Sequence, residues 1–249
     1  MTVLVDIGNT RIKWATLEAG TLVHRGSAVH RDALDAGLAA FAAALPKSPG
    51  RVVAANVAGE AVAARLAKLV AARPGASLEL VATTAERFGV RCGYRDPSRL
   101  GVDRWVAILA AHHAARGAAC VIDAGTAVTF DAVDAAGAHL GGLILPGAAL
   151  LAAALDKNTS NIGATAPIAD VPRGLELLGR STAAAVGNAA WLALAAALDR
   201  AAAKVTEALG AAPVVYLTGG DAPALKPWLE TRVDPRADLV LEGLKLFAA

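Results

Sequence analysis

The chain repeats itself at a spacing of about half its length, and that repeat limits the folds open to it. The first copy reads Val3-Leu4-Val5-Asp6-Ile7-Gly8 and runs through Ile12-Lys13-Trp14-Ala15 to a turn at Gly20. The second reads Cys120-Val121-Ile122-Asp123-Ala124-Gly125 and runs through Val128-Thr129-Phe130-Asp131 to a turn at Gly137. Aligned without gaps, Asp6 falls on Asp123, Gly8 on Gly125 and Gly20 on Gly137. Each copy has one physical plan. A short apolar run makes a strand, Asp-x-Gly closes it in a tight turn, an alternating strand returns antiparallel, and a Gly-containing turn leads to a third. The third strands are expected at Leu22 to Ala28 and His139 to Leu145.

The rest of each half reads as helices around a mixed sheet. Helices are expected over Asp35 to Leu45, Ala58 to Ala72 and Asp103 to Arg116, with strands at Arg51 to Ala55 and Leu78 to Ala82. On the third helix Trp105, Ile108, Leu109 and His112 share one face. In the second half Ser181 to Leu209 reads as helical, with room for an interruption near Gly187, and Val214 to Leu217 as a strand running into Thr218-Gly219-Gly220. This is an α/β order used twice, so two lobes are expected, residues 1–116 and 117–249. No Pro/Ser-rich linker separates them, which implies that they pack together around a cleft.

Composition narrows the function classes. At 249 residues and 55% hydrophobic the chain can bury a large core, and its 18% charged residues leave a formal charge of only +2. The Lys and Arg residues are scattered, so no basic stripe suits nucleic acid. The two cysteines, Cys92 and Cys120, form no CxxC pair and read as free thiols of a cytoplasmic protein. The apolar stretches Leu143 to Leu155 and Ala189 to Leu198 fall short of the ~20 residues that span a bilayer.

The Asp-x-Gly turns suit phosphate chemistry. Phosphoryl transfer needs a cradle of backbone N–H groups, a divalent cation and a base for the attacking hydroxyl. Glycine admits close approach, consecutive N–H groups form an anion nest, and the neighbouring carboxylate can hold Mg²⁺ through water. Asn9, Thr10 and Lys13 add donors and charge. A bare hairpin turn explains either copy alone; two copies in register favour the phosphate reading. With a late turn after a strand, Thr218-Gly219-Gly220-Asp221, which alone reads equally as an ordinary strand-to-helix turn, the arrangement resembles the actin-like ATPase (ASKHA) superfamily, and the resemblance implies adenosine against that turn. That resemblance implies a duplicated ribonuclease H-like fold with mixed five-stranded sheets flanked by helices.

A segment outside the repeat points to the substrate. Residues 94 to 106 read Tyr94-Arg95-Asp96-Pro97-Ser98-Arg99-Leu100-Gly101-Val102-Asp103-Arg104-Trp105-Val106. Asp103 starts a helix, where it either caps free N–H groups or acts as general base toward a hydroxyl. Arg104 either makes a surface ion pair or clamps a carboxylate.

Taken together, Asp6-x-Gly8-Asn9-Thr10-x-x-Lys13, Leu100-Gly101-x-Asp103-Arg104-Trp105, Asp123-x-Gly125-Thr126, Gly141-Gly142-x-Ile144-x-Pro146-Gly147 and Leu239-Val240-Leu241-x-Gly243-Leu244 resemble the type III pantothenate kinase family from end to end. The resemblance implies phosphorylation of the primary hydroxyl of pantothenate by ATP, the first step toward coenzyme A. It implies ATP phosphates on Asp6, Ile7, Gly8, Asn9, Thr10, Arg11, Ile12 and Lys13, with Thr126 also touching ATP. Asp103 would be the proton acceptor. Tyr94, Gly101, Val102, Asp103 and Arg104 would hold pantothenate. Asp123 would bind a monovalent cation, K⁺ or NH₄⁺, and Mg²⁺ would be required. It further implies a homodimer in which Thr182 reaches substrate across the interface. One departure lies there: the family has Gly seven residues after that Thr, whereas this chain has Ala189, with Gly187 two places early.

Two lookalikes are set aside. His30-Arg31-Asp32 imitates the catalytic loop of protein kinases, yet Gly37 stands where that loop needs Asn. His112 and His113 are adjacent on a helix and point about 100° apart, so they cannot share a metal.

Overall fold

In the computed structural model, which describes residues 1–31, 33–158 and 174–248, both copies of the repeat form the same sheet. In the first, β1 (Thr2–Ile7), β2 (Arg11–Glu18), β3 (Thr21–Val29), β4 (Arg51–Asn56) and β5 (Ser77–Leu80) lie in the order β3-β2-β1-β4-β5. β1 is antiparallel to β2 and parallel to β4, so it is the central strand. Its run Thr2–Ile7 is apolar on both faces because both faces are covered, and Val3, Leu4, Val5 and Ile7 are buried. Helices α1 (Leu34–Ala44) and α2 (Glu60–Ala71) pack Leu38, Phe41, Val62 and Leu66 against Val3, Val5, Ile12 and Trp14. A small hairpin of β6 (Glu86–Arg87) and β7 (Val90–Arg91) precedes α3 (Val102–Ala115).

The second sheet repeats that order. Strands β8 (Ala119–Ala124), β9 (Ala127–Val133), β10 (His139–Pro146), β11 (Val214–Thr218) and β12 (Asp234–Pro235) run β10-β9-β8-β11-β12, again antiparallel on one side of the central strand and parallel on the other. Helices α4 (Ala148–Asn158), α5 (Thr182–Leu209) and the short α6 (Ala222–Leu225) belong to this unit. α5 is unbroken through Gly187, so no interruption occurs there. It is long and apolar enough to cross a membrane by length and composition. Trp191, Leu194, Ala195 and Leu198 are instead buried against Ile122 and Phe130, as in a core helix.

The two hairpins are not superimposable copies. Ile7 pairs with Ile12 across Gly8-Asn9-Thr10-Arg11, whereas Ala124 pairs with Val128 across the shorter Gly125-Thr126-Ala127. The gapless match therefore slips by one residue along the second strand. A one-residue slip turns every side chain to the other face. The shorter turn is what places Val128, Phe130 and Ala132 inward, as Ile12 and Trp14 are in the first unit. Beyond the next turn the match resumes, with Gly20 and Gly137 both in the left-handed region, φ +78° and +79°.

The closing helix corrects the expected boundary. α7 (Leu239–Ala248) lies against β1 and β4, so the compact units are Met1–Ala114 plus the segment from Asp238 onward, and Ala115–Ala237. Residues 117–249 therefore do not form one lobe. A β-carbon on Gly243 would collide with the carbonyl of Val106 in α3, which explains the glycine in that motif. α3 is also buried more completely than its expected single face: Arg104 through Ala111 are all buried.

Candidate active site

The first turn is built almost wholly from backbone. Gly8 N–H donates to the Arg11 carbonyl at 3.0 Å, and Val57 N–H donates to the Ile7 carbonyl at 3.0 Å. Asp6 and Lys13 face each other across β1 and β2, both half-buried. Of the eight residues expected at the phosphates, Ile7 and Ile12 are fully buried in the core. They can offer only main-chain groups. Asn9 and Arg11 are exposed and Gly8 and Thr10 half-exposed, so these positions form the accessible rim.

Residues 94–106 lie in the same unit. Asp96 caps the single 3₁₀ turn Pro97–Arg99, accepting from Ser98 N at 3.0 Å and Ser98 Oγ at 2.7 Å. The Ser98 hydroxyl, then its N–H, hold the Asp96 carboxyl below its usual range. Thr83 Oγ1 donates to the Leu100 carbonyl at 2.9 Å and anchors the next step. Gly101 then opens α3, and its carbonyl accepts from Trp105 N–H at 3.0 Å. Val102 and Asp103 follow, each half-buried.

Asp103 Oδ1 accepts the Arg104 N–H at 2.7 Å. The carboxylate is thus held in the first turn of α3, where the helix dipole favours negative charge. A β-carbon on Gly101 would lie 2.7 Å from that oxygen and 4.0 Å from Val57 Cγ1. Val57 is also the residue whose main-chain N–H holds Ile7, so the first turn and the start of α3 both lie beside it. Arg104 is not a surface ion-pair residue: it is 8% exposed and donates to Tyr94 Oη at 3.0 Å. Its guanidinium also lies 5.7 Å from the centre of the Tyr94 ring. Tyr94, Asp103 and Arg104 thus come together from a loop and a helix end.

The second unit holds Asp123, Thr126 and Thr182. Asp123 is the penultimate residue of β8, half-buried and beside Thr218 of β11. A β-carbon on Gly219 (φ +99°) would lie 2.5 Å from Asp123 Oδ1 and collide with the Ala124 carbonyl. The missing side chain lets the Gly219 backbone lie against the Asp123 carboxylate and the Ala124 carbonyl, oxygen ligands of the kind a hard cation takes. Thr126 is half-exposed in its turn, and its carbonyl accepts from Gly147 N–H at 2.9 Å. Thr182 is exposed at the start of α5, one residue after the N-cap Ser181, whose Oγ accepts from Ala184 N.

Two features escaped the sequence reading. His30, set aside as a protein-kinase lookalike with Asp32 outside the described residues, contacts the first turn directly: its ring Nε2 lies 2.7 Å from the Gly8 carbonyl. The second is a buried pair in the second sheet, His139 Nε2 to Asp131 Oδ1 at 3.1 Å, both side chains out of solvent. Burial, and then the nearby Asp131 charge, push the Cys120 thiol up to about 12. His112 is half-buried and His113 exposed, and Trp105 and Trp191 are core residues.

A family model described as type III pantothenate kinase matches residues 2–204. A protein of Chromobacterium violaceum named type III pantothenate kinase is 40% identical over 98% of this chain and 98% of its own length. One of the same name from Nitrosococcus oceani is 35% identical over 98% of this chain and 92% of its own. Among solved structures, a 2-dehydro-3-deoxygalactonokinase protein of Sinorhizobium meliloti, so described with reservation, has a TM-score of 0.60 at 17% identity, covering 100% of this chain and 96% of its own. That likeness speaks to fold alone, and the fold is that of the actin-like ATPases.

Proposed function

Since this chain belongs to the type III pantothenate kinase family, an ATP-dependent kinase family acting in coenzyme A biosynthesis, we propose that Asp103 is the general base that takes the proton from the primary hydroxyl of pantothenate. The observation that carries this reading is the cluster at the start of α3. A half-buried carboxylate stands one residue from a buried guanidinium that is fixed on Tyr94. Pantothenate has a hydroxyl at one end and a carboxylate at the other, so Asp103 suits the first and Arg104 the second. Gly101 and Val102 supply backbone to the same end of the substrate.

The turn from Asp6 to Lys13 holds the ATP phosphates through main-chain N–H groups and the charge of Lys13, and Thr126 makes a further ATP contact. The carboxylate of Asp6 suits Mg²⁺, held through water. Asp123 takes K⁺ or NH₄⁺ through its carboxylate, beside Gly219. When bound, these cations neutralise phosphate charge and favour electron flow to the leaving group.

The enzyme works as a cytoplasmic homodimer. The exposed apolar side chains of Leu143, Ile144 and Leu150, with Ile144 64% exposed, support a surface covered by a second copy. Thr182 reaches substrate across that surface.

The test of the substrate is a panel of pantothenate, hexoses and small acids with ATP, Mg²⁺ and K⁺. Pantothenate alone should give ADP release. A chain that phosphorylates a hexose and leaves pantothenate untouched would falsify the reading.

A further inference from the structure

We propose that His30 is a positioning residue for the ATP-phosphate turn, setting the direction of the Asn9 N–H. The inference rests on the reading of Asp6 to Lys13 as that turn. His30 follows β3 and grips both legs of the loop. Its backbone N–H donates to the Thr10 carbonyl at 2.8 Å, and its ring Nε2 lies 2.7 Å from the Gly8 carbonyl. A carbonyl only accepts, so Nε2 carries the proton and donates. The residue is 4% exposed, which strengthens the bond and excludes water from it.

The consequence follows from peptide geometry. The Gly8 carbonyl and the Asn9 N–H belong to one planar trans peptide and point in opposite directions. With the Gly8 carbonyl held toward His30, the Asn9 N–H is turned away from it, on the exposed side of the loop. That is the direction a phosphate oxygen needs. Rotating this peptide would offer the phosphate a carbonyl instead of a donor, replacing attraction with repulsion.

The second unit supplies an internal comparison. In the gapless repeat His30 falls on Gly147, and Gly147 N–H donates to the Thr126 carbonyl just as His30 N–H donates to that of Thr10. A β-carbon on Gly147 would collide with the Gly125 carbonyl. One position therefore closes both turns by the same backbone bond. In the second unit the carbonyl crowds the chain and admits only glycine. In the first, an imidazole fills the space and bonds the carbonyl. The side chain is an addition where the loop is one residue longer and a phosphate donor must be fixed.

Two variants of similar length separate the hydrogen bond from packing. His30→Gln keeps an N–H donor at comparable reach, and His30→Met removes it. Steady-state kinetics with MgATP and pantothenate, with thermal unfolding alongside, read the outcome. His30→Met should raise the KM for ATP about tenfold and leave that for pantothenate unchanged, whereas His30→Gln stays within about threefold of wild type, as the worth of one buried hydrogen bond requires. Equal ATP KM in the two variants beside an active wild type overturns the inference alone. So does loss of folding in the Met variant, which would make His30 a general stabiliser. A wild-type chain that forms no ADP from MgATP and pantothenate overturns the functional reading, and this inference with it.

Discussion

Gly101 stands so close to Asp103 that a β-carbon on it would lie 2.7 Å from the Asp103 Oδ1. The displaced atom is the end of a side chain and not backbone, so the fold can accommodate an alanine by moving the carboxylate. Gly101→Ala should therefore change the melting temperature little and lower kcat by about ten- to a hundredfold, since displacement of a catalytic group by about 1 Å has that cost. Kinetics and a melt on one preparation check it. A melt that drops sharply with kcat per folded enzyme intact would make Gly101 a packing residue.

Arg104 is buried on Tyr94, and a lysine cannot reproduce its planar fork. Arg104→Lys should raise the KM for pantothenate by about tenfold or more, as loss of a charge-assisted bond does. The KM for ATP should stay put. Equal effects on both constants would place Arg104 outside the carboxylate site.

The Asp123 carboxylate carries the monovalent-cation claim. Replacing potassium with sodium should lower the rate strongly in the wild type, and Asp123→Asn should lose most of that response. Titrating each salt at fixed ionic strength measures both. Identical curves for potassium and sodium in the wild type would remove the cation from Asp123.

Cys120 is buried, and that burial pushes its thiol up to about 12, well above the ordinary thiol range. Below pH 9 it stays a thiol in both folded and unfolded chains, so folding does not depend on its charge. Between pH 9 and about 12 the unfolded chain ionises first and the stability tied to this group is lost. At pH 8 iodoacetamide should modify the half-exposed Cys92 and spare Cys120 until the chain is denatured. Mass spectrometry of the alkylated peptides decides it, and ready labelling of Cys120 in the native protein would contradict the burial.

Much of this architecture was readable from local pattern. The doubled Asp-x-Gly, the apolar central strands and the helix at Asp103 depend on near neighbours, and they formed where expected. What depended on distant contacts was not readable. α7 joins the first unit because Gly243 meets Val106, a contact no local period encodes. The slip in the second hairpin came from a single missing loop residue, which a gapless alignment hides. For Arg104 a surface ion pair stayed open beside a carboxylate clamp, because burial of a guanidinium depends on Tyr94, ten residues away in the chain. His30 was discounted for its neighbours in sequence, while its partner Gly8 lies across the sheet.

The central claim is that Asp103 takes the proton from pantothenate, and Asp103→Asn tests it most directly. The amide keeps the size of the side chain and removes its basicity. The measurement is pantothenate-dependent ADP release, with ATP affinity and the melting temperature taken on the same protein. The account predicts a fall in kcat of at least about a hundredfold, the scale of general-base catalysis, with ATP affinity and folding near those of the wild type. A mutant that turns over pantothenate at close to the wild-type rate would contradict it and leave Asp103 as a helix cap.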